Sequence, residues 1–106
     1  MSETQIFNGE IVDTFLGVED HGILTSYVFV QFGGSHQGYG GYGLDNRYCA
    51  AWIKGVCRAV GVDNWKDLKG KYVRIQREDG RIICIGHIVE ERWYSHQDTI
   101  RETDPT

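Results

Sequence analysis

Three arginines, Arg74, Arg77 and Arg92, one tryptophan, Trp93, and the glycine-dense run 33–43 are the residues whose types could do chemistry. A guanidinium meets phosphate oxygens through two parallel N–H bonds, and an aromatic ring stacks on a base or on the guanidinium itself. Six of the fourteen glycines fall between Gly33 and Gly43. Successive glycine N–H groups can form a concavity that holds an anion. A helix N-terminus with its own unpaired donors follows that run directly. Arginine, aromatic ring and glycine loop together are what a nucleotide pocket needs. The same set also fits a polar interface between subunits, and the glycine run also reads as a tight connection packed between them.

Other constellations fail on spacing. Gly38, Gly40 and Gly43 match G-x-G-x-x-G with Asp63 twenty residues on. The dinucleotide fingerprint, however, needs a strand ending at the loop and a parallel βαβ unit, and an antiparallel hairpin follows here. Gly33 and Gly38 have phosphate-loop spacing, but Tyr39 stands where the lysine must be. His21, His36, His87 and His96 are scattered without a metal-ligand spacing, so no metal or other cofactor is expected. His87 reads as a satisfied core or pocket residue. Ser35 is not in a nucleophile elbow. The adjacent acids Glu19-Asp20 and Glu90-Glu91 point to opposite faces on a strand, so neither pair shares a proton. Cys49, Cys57 and Cys84 lie in apolar segments and read as reduced core residues. Nothing assembles an acid, a base and a nucleophile, so binding without catalysis is expected.

These residues must be positioned by a sheet and a helix. Residues 6–16 read as a first strand, 17–22 as a turn, and 23–32, rich in β-branched and aromatic residues, as a second strand. The glycine density of 33–43 argues against any regular element there. Asp45 offers an N-cap to a helix over 46–60, with Cys49, Trp52, Ile53, Val56 and Val60 on one face. Gly61 stands where that helix ends. Asp63 opens a short helical turn through Trp65 and Leu68. Tyr72 to Arg77 alternates as a strand, Asp79-Gly80 signals a hairpin, and Arg81 to Val89 returns as a strand that Glu90 to Tyr94 continue. The return run is nearly all apolar, which implies burial on both faces, by the helix and by a neighbouring subunit. The expectation is an α+β fold: an antiparallel sheet of four to five strands with one main helix on one face. Residues 1–94 read as a single ligand-binding domain, and 95–106 as a flexible C-terminal tail. Tyr39, Tyr42, Trp93 and Tyr94 are candidates for exposed aromatics, which points to a homo-oligomer built from dimers.

A chain of 106 residues with 41% apolar and 25% charged residues closes one core. The net charge is −4, with five acids and no base in residues 1–20 and an excess of three positive charges over 66–81. That balance excludes the usual duplex nucleic-acid binder but leaves a local basic patch for a small anion. No run reaches the ~18 apolar residues of a membrane helix. The polar, acidic N-terminus does not resemble a signal peptide, so a cytoplasmic location is expected.

Several strings resemble a known family: Glu19-Asp20-His21-Gly22-Ile23-Leu24-Thr25, the run from Gln37 to Asp45, the run from Gly61 to Arg74, Ile85-Gly86-His87 and Arg92-Trp93-Tyr94. Over roughly residues 10–94 the chain is similar to the phage-encoded Thoeris anti-defence family, first member, whose proteins are sponges for immune signals. The stretch between Asp45 and the helix is shorter here than in that family. The resemblance implies a phage protein of the bacterial host cytoplasm. It would bind glycocyclic ADP-ribose, the cyclic nucleotide made by Thoeris TIR proteins, with CBASS cyclic oligonucleotides as a further class, without degrading them. It also implies dimers that assemble into hexamers. Arg74, Arg77, Arg92, Trp93 and His87, with Gln37, Gly38, Tyr39, Tyr42 and Asn46 from the glycine loop and helix start, are the ligand-binding residues it suggests. The alternative is a phage inhibitor that binds a host defence protein directly.

Overall fold

The computed structural model describes residues 4–40 and 46–104. In chain order the elements are β1 (Gln5–Val18), β2 (Leu24–Phe32), β3 (Ser35–Gly40), α1 (Asn46–Val60), a 3-10 turn (Trp65–Asp67), β4 (Tyr72–Glu78), β5 (Arg81–His87), β6 (Trp93–Tyr94) and α2 (His96–Thr103). The strands form one antiparallel sheet of six in the order β3-β2-β1-β4-β5-β6. The α+β class is as expected, with one or two more strands than expected and a second helix.

The sequence makes the central strands for plain reasons. Alternation along β2 puts Val28, Val30 and Phe32 on the inner face, beside Ile11 of β1 and above Val73, Ile75 and Ile85 of β4 and β5, all buried. Trp52, Val56, Ala59 and Val60 of α1 close the core from that side. α1 ends as its sequence dictates: Gly61 takes φ +96° and its N–H bonds back to the Cys57 carbonyl. Asp79 (φ +54°) and Gly80 (φ +77°) give the two left-handed positions of a primed two-residue turn between β4 and β5.

The sheet curls. Three strands separate β3 from β5 in the order, yet the Tyr39 hydroxyl donates to the Ile83 carbonyl at 3.0 Å and Gln37 Nε2 to the Gly80 carbonyl at 3.3 Å. The core is therefore wrapped by strand on most sides, and α1 plugs the open one.

Four expectations give way. The glycine run is not irregular throughout, because Ser35–Gly40 is an edge strand paired with β2 from Phe32↔Ser35 to Tyr27↔Gly40. Ladder bonds use only backbone, and Gly40 lies so close to Tyr27 that a Cβ there would sit 1.9 Å from the Tyr27 Cβ. The apolar run after Arg81 is not one strand: it stops at His87, Ile88 and Val89 are exposed in a turn, and β6 folds back on β5 through Ile85↔Tyr94 and Gly86↔Trp93. Residues 95–104 are not a loose tail, because α2 is held by a capping box between Ser95 and Asp98 and by buried Thr99, whose hydroxyl donates to Tyr94 at 2.7 Å. The 3-10 turn is capped by Asn64, one residue past Asp63, through a 3.1 Å bond from the Lys66 N–H. Asp45 lies outside the described residues.

Candidate functional site

Arg74, His87, Arg92 and Trp93 come from β4, the end of β5, the 88–92 turn and β6, and the β5–β6 reversal brings all four together. Gly86 makes room for this: its bare Cα lies under the Trp93 ring, and a Cβ there would fall 2.5 Å from Cε3. The Arg74 guanidinium lies over the same ring, 4.7 Å from its centroid. From there Arg74 ties the turn down, with Nε donating to the His87 carbonyl at 2.8 Å and Nη2 to the Glu90 carbonyl at 2.8 Å. His87 does the same from the other side, its Nδ1 accepting the Val89 and Glu90 N–H groups at 3.1 and 3.0 Å. Two donors on Nδ1 leave the ring proton on Nε2. The His87 N–H donates to the Arg92 carbonyl at 2.9 Å, closing the turn.

The site's charges are balanced. Arg74 Nη2 meets Glu91 Oε1 at 3.0 Å, and Arg92 Nη2 meets Glu90 Oε2 at 2.7 Å. The Trp93 indole N–H, donating to Glu91 at 3.2 Å, and the Arg74 guanidinium hold the Glu91 carboxyl below its usual range. His87 Nε2 stands 3.8 Å from Glu90 Oε2. Arg92 Nε is buried and has no acceptor among the described residues. Gly61, at the end of α1, borders the cluster: a Cβ there would lie 3.3 Å from Arg92 Nη2 and 3.4 Å from the His87 ring.

The other predicted residues sit elsewhere. Gln37 and Arg77 meet at the β4–β5 turn, where both donate to the Gly80 carbonyl. Arg77 there lies over the Phe7 and Phe32 rings at 5.7 and 5.0 Å, which makes it a lid on the core rather than a partner of Arg74. Gly38 accommodates the Phe29 ring across the ladder. Tyr39 and Tyr94 are not exposed aromatics: both are core residues, and Tyr39 packs on Trp52 and His96. Tyr42 lies outside the described residues, and of Asn46 only its place at the start of α1 is described.

A cleft of about 670 Å³ opens between the β4–β5 hairpin and the start of α2, lined by Gln76, Arg81, Ile83, Cys84 and His96 among others. Among the described residues, none of the predicted ones lines it. Burial pushes the Cys84 thiol up to about 11, away from nucleophile character. A smaller groove of about 300 Å³ lies between Asn8, Gln31 and Tyr72. Cys49, Cys57 and Cys84 are free and buried. Among the described residues there is no group of His, Cys, Asp and Glu suited to a metal, and no helix long and apolar enough to cross a membrane.

Sequence reasoning missed Glu90 and Glu91 as partners of the arginines. The adjacent acids Glu90-Glu91 directly before Arg92 were the available signal. No family model, curated protein or solved structure matches the chain.

Proposed function

We propose that this chain binds and sequesters a cyclic nucleotide immune signal without degrading it, acting in the cytoplasm of a bacterial host as a homo-oligomer built from dimers. The ligand in this reading is glycocyclic ADP-ribose made by Thoeris TIR proteins, with CBASS cyclic oligonucleotides as a further class. The observation that carries the reading is the convergence of Arg74, His87, Arg92 and Trp93 on one turn whose backbone is fixed from two sides. A fixed turn presents guanidinium groups and an indole ring at little entropic cost on binding. The motif strings quoted above also favour it. Four of the ten residues suggested by the resemblance belong to this cluster, and the reading rests on those four.

Direct capture of a host defence protein is the second reading. The tip of the β1–β2 hairpin favours it, since Leu16, Val18, Ile23 and Leu24 are exposed there beside Glu19 and Asp20. One experiment separates the two. The purified protein is loaded with glycocyclic ADP-ribose, washed, denatured by heat, and the released material analysed by mass spectrometry. Intact ligand in stoichiometric amount supports sequestration. A changed product means catalysis, and nothing released removes the nucleotide reading and leaves the protein partner.

A further inference from the structure

Glu90 and Glu91 are consecutive, and each carboxylate is held by one arginine, with a ring nitrogen beside it. Glu91 takes Arg74 Nη2 at 3.0 Å and the Trp93 indole N–H at 3.2 Å. Glu90 takes Arg92 Nη2 at 2.7 Å, with His87 Nε2 facing it at 3.8 Å. Burial does not explain these contacts, because the two side chains are 59% and 77% exposed and water would solvate both. A guanidinium beside a ring N–H is a donor set for any oxyanion, phosphate as well as carboxylate. Nor do the carboxylates hold the turn. Arg74, His87 and the backbone bond from His87 to Arg92 fix it through main-chain atoms. Both side chains can therefore rotate away with the backbone unmoved. Arg92 Nε–H, buried without an acceptor, is a donor the carboxylates leave unused.

We infer that Glu90 and Glu91 are internal placeholders in two oxyanion seats, and that the ligand class of this turn is a small molecule carrying two phosphoryl groups, which binds by displacing both carboxylates. The inference rests on the nucleotide reading above and names the part of the ligand this cluster takes. A placeholder keeps each guanidinium aimed and neutralised until the ligand arrives. It also selects for the ligand: a single phosphate competes for one seat alone, whereas two linked phosphoryl groups enter the second seat at high effective concentration.

Calorimetric titration of the full chain with inorganic pyrophosphate and with orthophosphate at low salt tests this. The variants are Glu90→Gln, Glu91→Gln, the double variant, and Asp20→Asn as an exposed carboxylate in the distant β1–β2 turn. Pyrophosphate is expected to bind more tightly than orthophosphate. Each glutamine should tighten it by up to about fivefold, the range set by the strength of an exposed ion pair, and the double variant by more than either. Asp20→Asn should change nothing. Failure of the double variant to bind pyrophosphate, glutamine variants no tighter than the parent, or an equal gain from Asp20→Asn would overturn the inference. Intact cyclic nucleotide retained by the parent alongside glutamine variants that bind no better removes the placeholders and keeps sequestration. Tightened pyrophosphate binding with no cyclic nucleotide retained does the reverse.

Discussion

Arg74→Lys separates holding the turn from contacting a ligand. The substitution keeps the positive charge and most of the stem, and loses the planar fork. In the parent, that fork reaches the His87 carbonyl through Nε, the Glu90 carbonyl and Glu91 through Nη2, and the Trp93 ring through its face. A lysine ammonium can meet one of those carbonyls but not both. The loss of Glu91 counts for little because that carboxylate is exposed. One part-buried carbonyl left without its charged donor costs about 1.5–3 kcal/mol. At roughly 2.1 cal/mol/K of unfolding entropy per residue, the 106-residue chain loses about 4–5 °C of Tm per kcal/mol, so Arg74→Lys should melt about 6–14 °C lower. Arg92→Ala is the counterpart. Its ion pair to Glu90 is solvated and its Nε already lacks an acceptor, so removal should cost under about 1 kcal/mol while abolishing ligand retention. Thermal unfolding followed by circular dichroism reads both. An Arg74→Lys melting point within about 2 °C of the parent, or an equal fall in Arg92→Ala, would refute the division of labour between the two arginines.

Three further outcomes are expected. Gly55→Ala should destabilise by about 1–3 kcal/mol despite the better helix propensity of alanine, because the new Cβ would lie 2.0 Å from Cζ of Tyr94, whose hydroxyl is pinned by Ala51 and Thr99; a chemical denaturation midpoint equal to the parent's would contradict this packing. Burial against Tyr39 and Trp52 lowers the His96 pKa, so the unfolded chain takes up this proton at higher pH than the folded one. Its contribution to stability is thus complete above the unfolded pKa of about 6.5 and declines as pH falls from there toward the folded value; His96→Gln should flatten that segment of a pH–stability curve. Ser95→Ala removes the side-chain oxygen that caps α2 and should cost about 0.5–2 kcal/mol, seen first as faster amide exchange over Thr99 and Ile100.

Elements built on strong local signals were legible. α1 reads from its apolar spacing and terminal glycine, β2 from its β-branched run, and the β4–β5 hairpin from Asp79-Gly80. The elements that were misread draw on tertiary contacts. Glycines in β3 are bad for an isolated strand, but they suit an edge that must lie against the Tyr27 and Phe29 side chains. α2 buries little apart from Thr99 and so has almost no apolar period, although Ser95 and Asp98 spelled its capping box. Ile88 and Val89 looked like strand because apolar runs do, while the bonds from Arg74 and His87 bend the chain there. At the site, sequence supplied the arginines and the indole but not their saturation by Glu90 and Glu91, since pairing across a turn is set by where the backbone goes. Arg77 was grouped with Arg74 on charge, yet it lies three residues further along the same strand and so falls on the Val73 and Ile75 face, where it meets Phe7 and Phe32.

The strand order carries a consequence for synthesis. β1 emerges first yet ends in the middle of the sheet, and its partner β4 begins sixty-two residues after the Glu10 position it pairs with. At about 5–20 residues per second on the ribosome, the β3-β2-β1 meander waits several seconds with half of β1 uncovered. β4 in the end covers only Gln5 to Glu10. Beyond that point a bulge breaks the ladder between Ile11 and Asp13, and the Asp13 carboxylate occupies the Thr14 N–H at 2.9 Å. The part of the edge that never acquires a strand from its own chain is thus blunted against nascent neighbours, as natural edge strands are. Asp13→Ala should therefore show itself in the yield of soluble protein during expression, before any effect appears in the folded molecule.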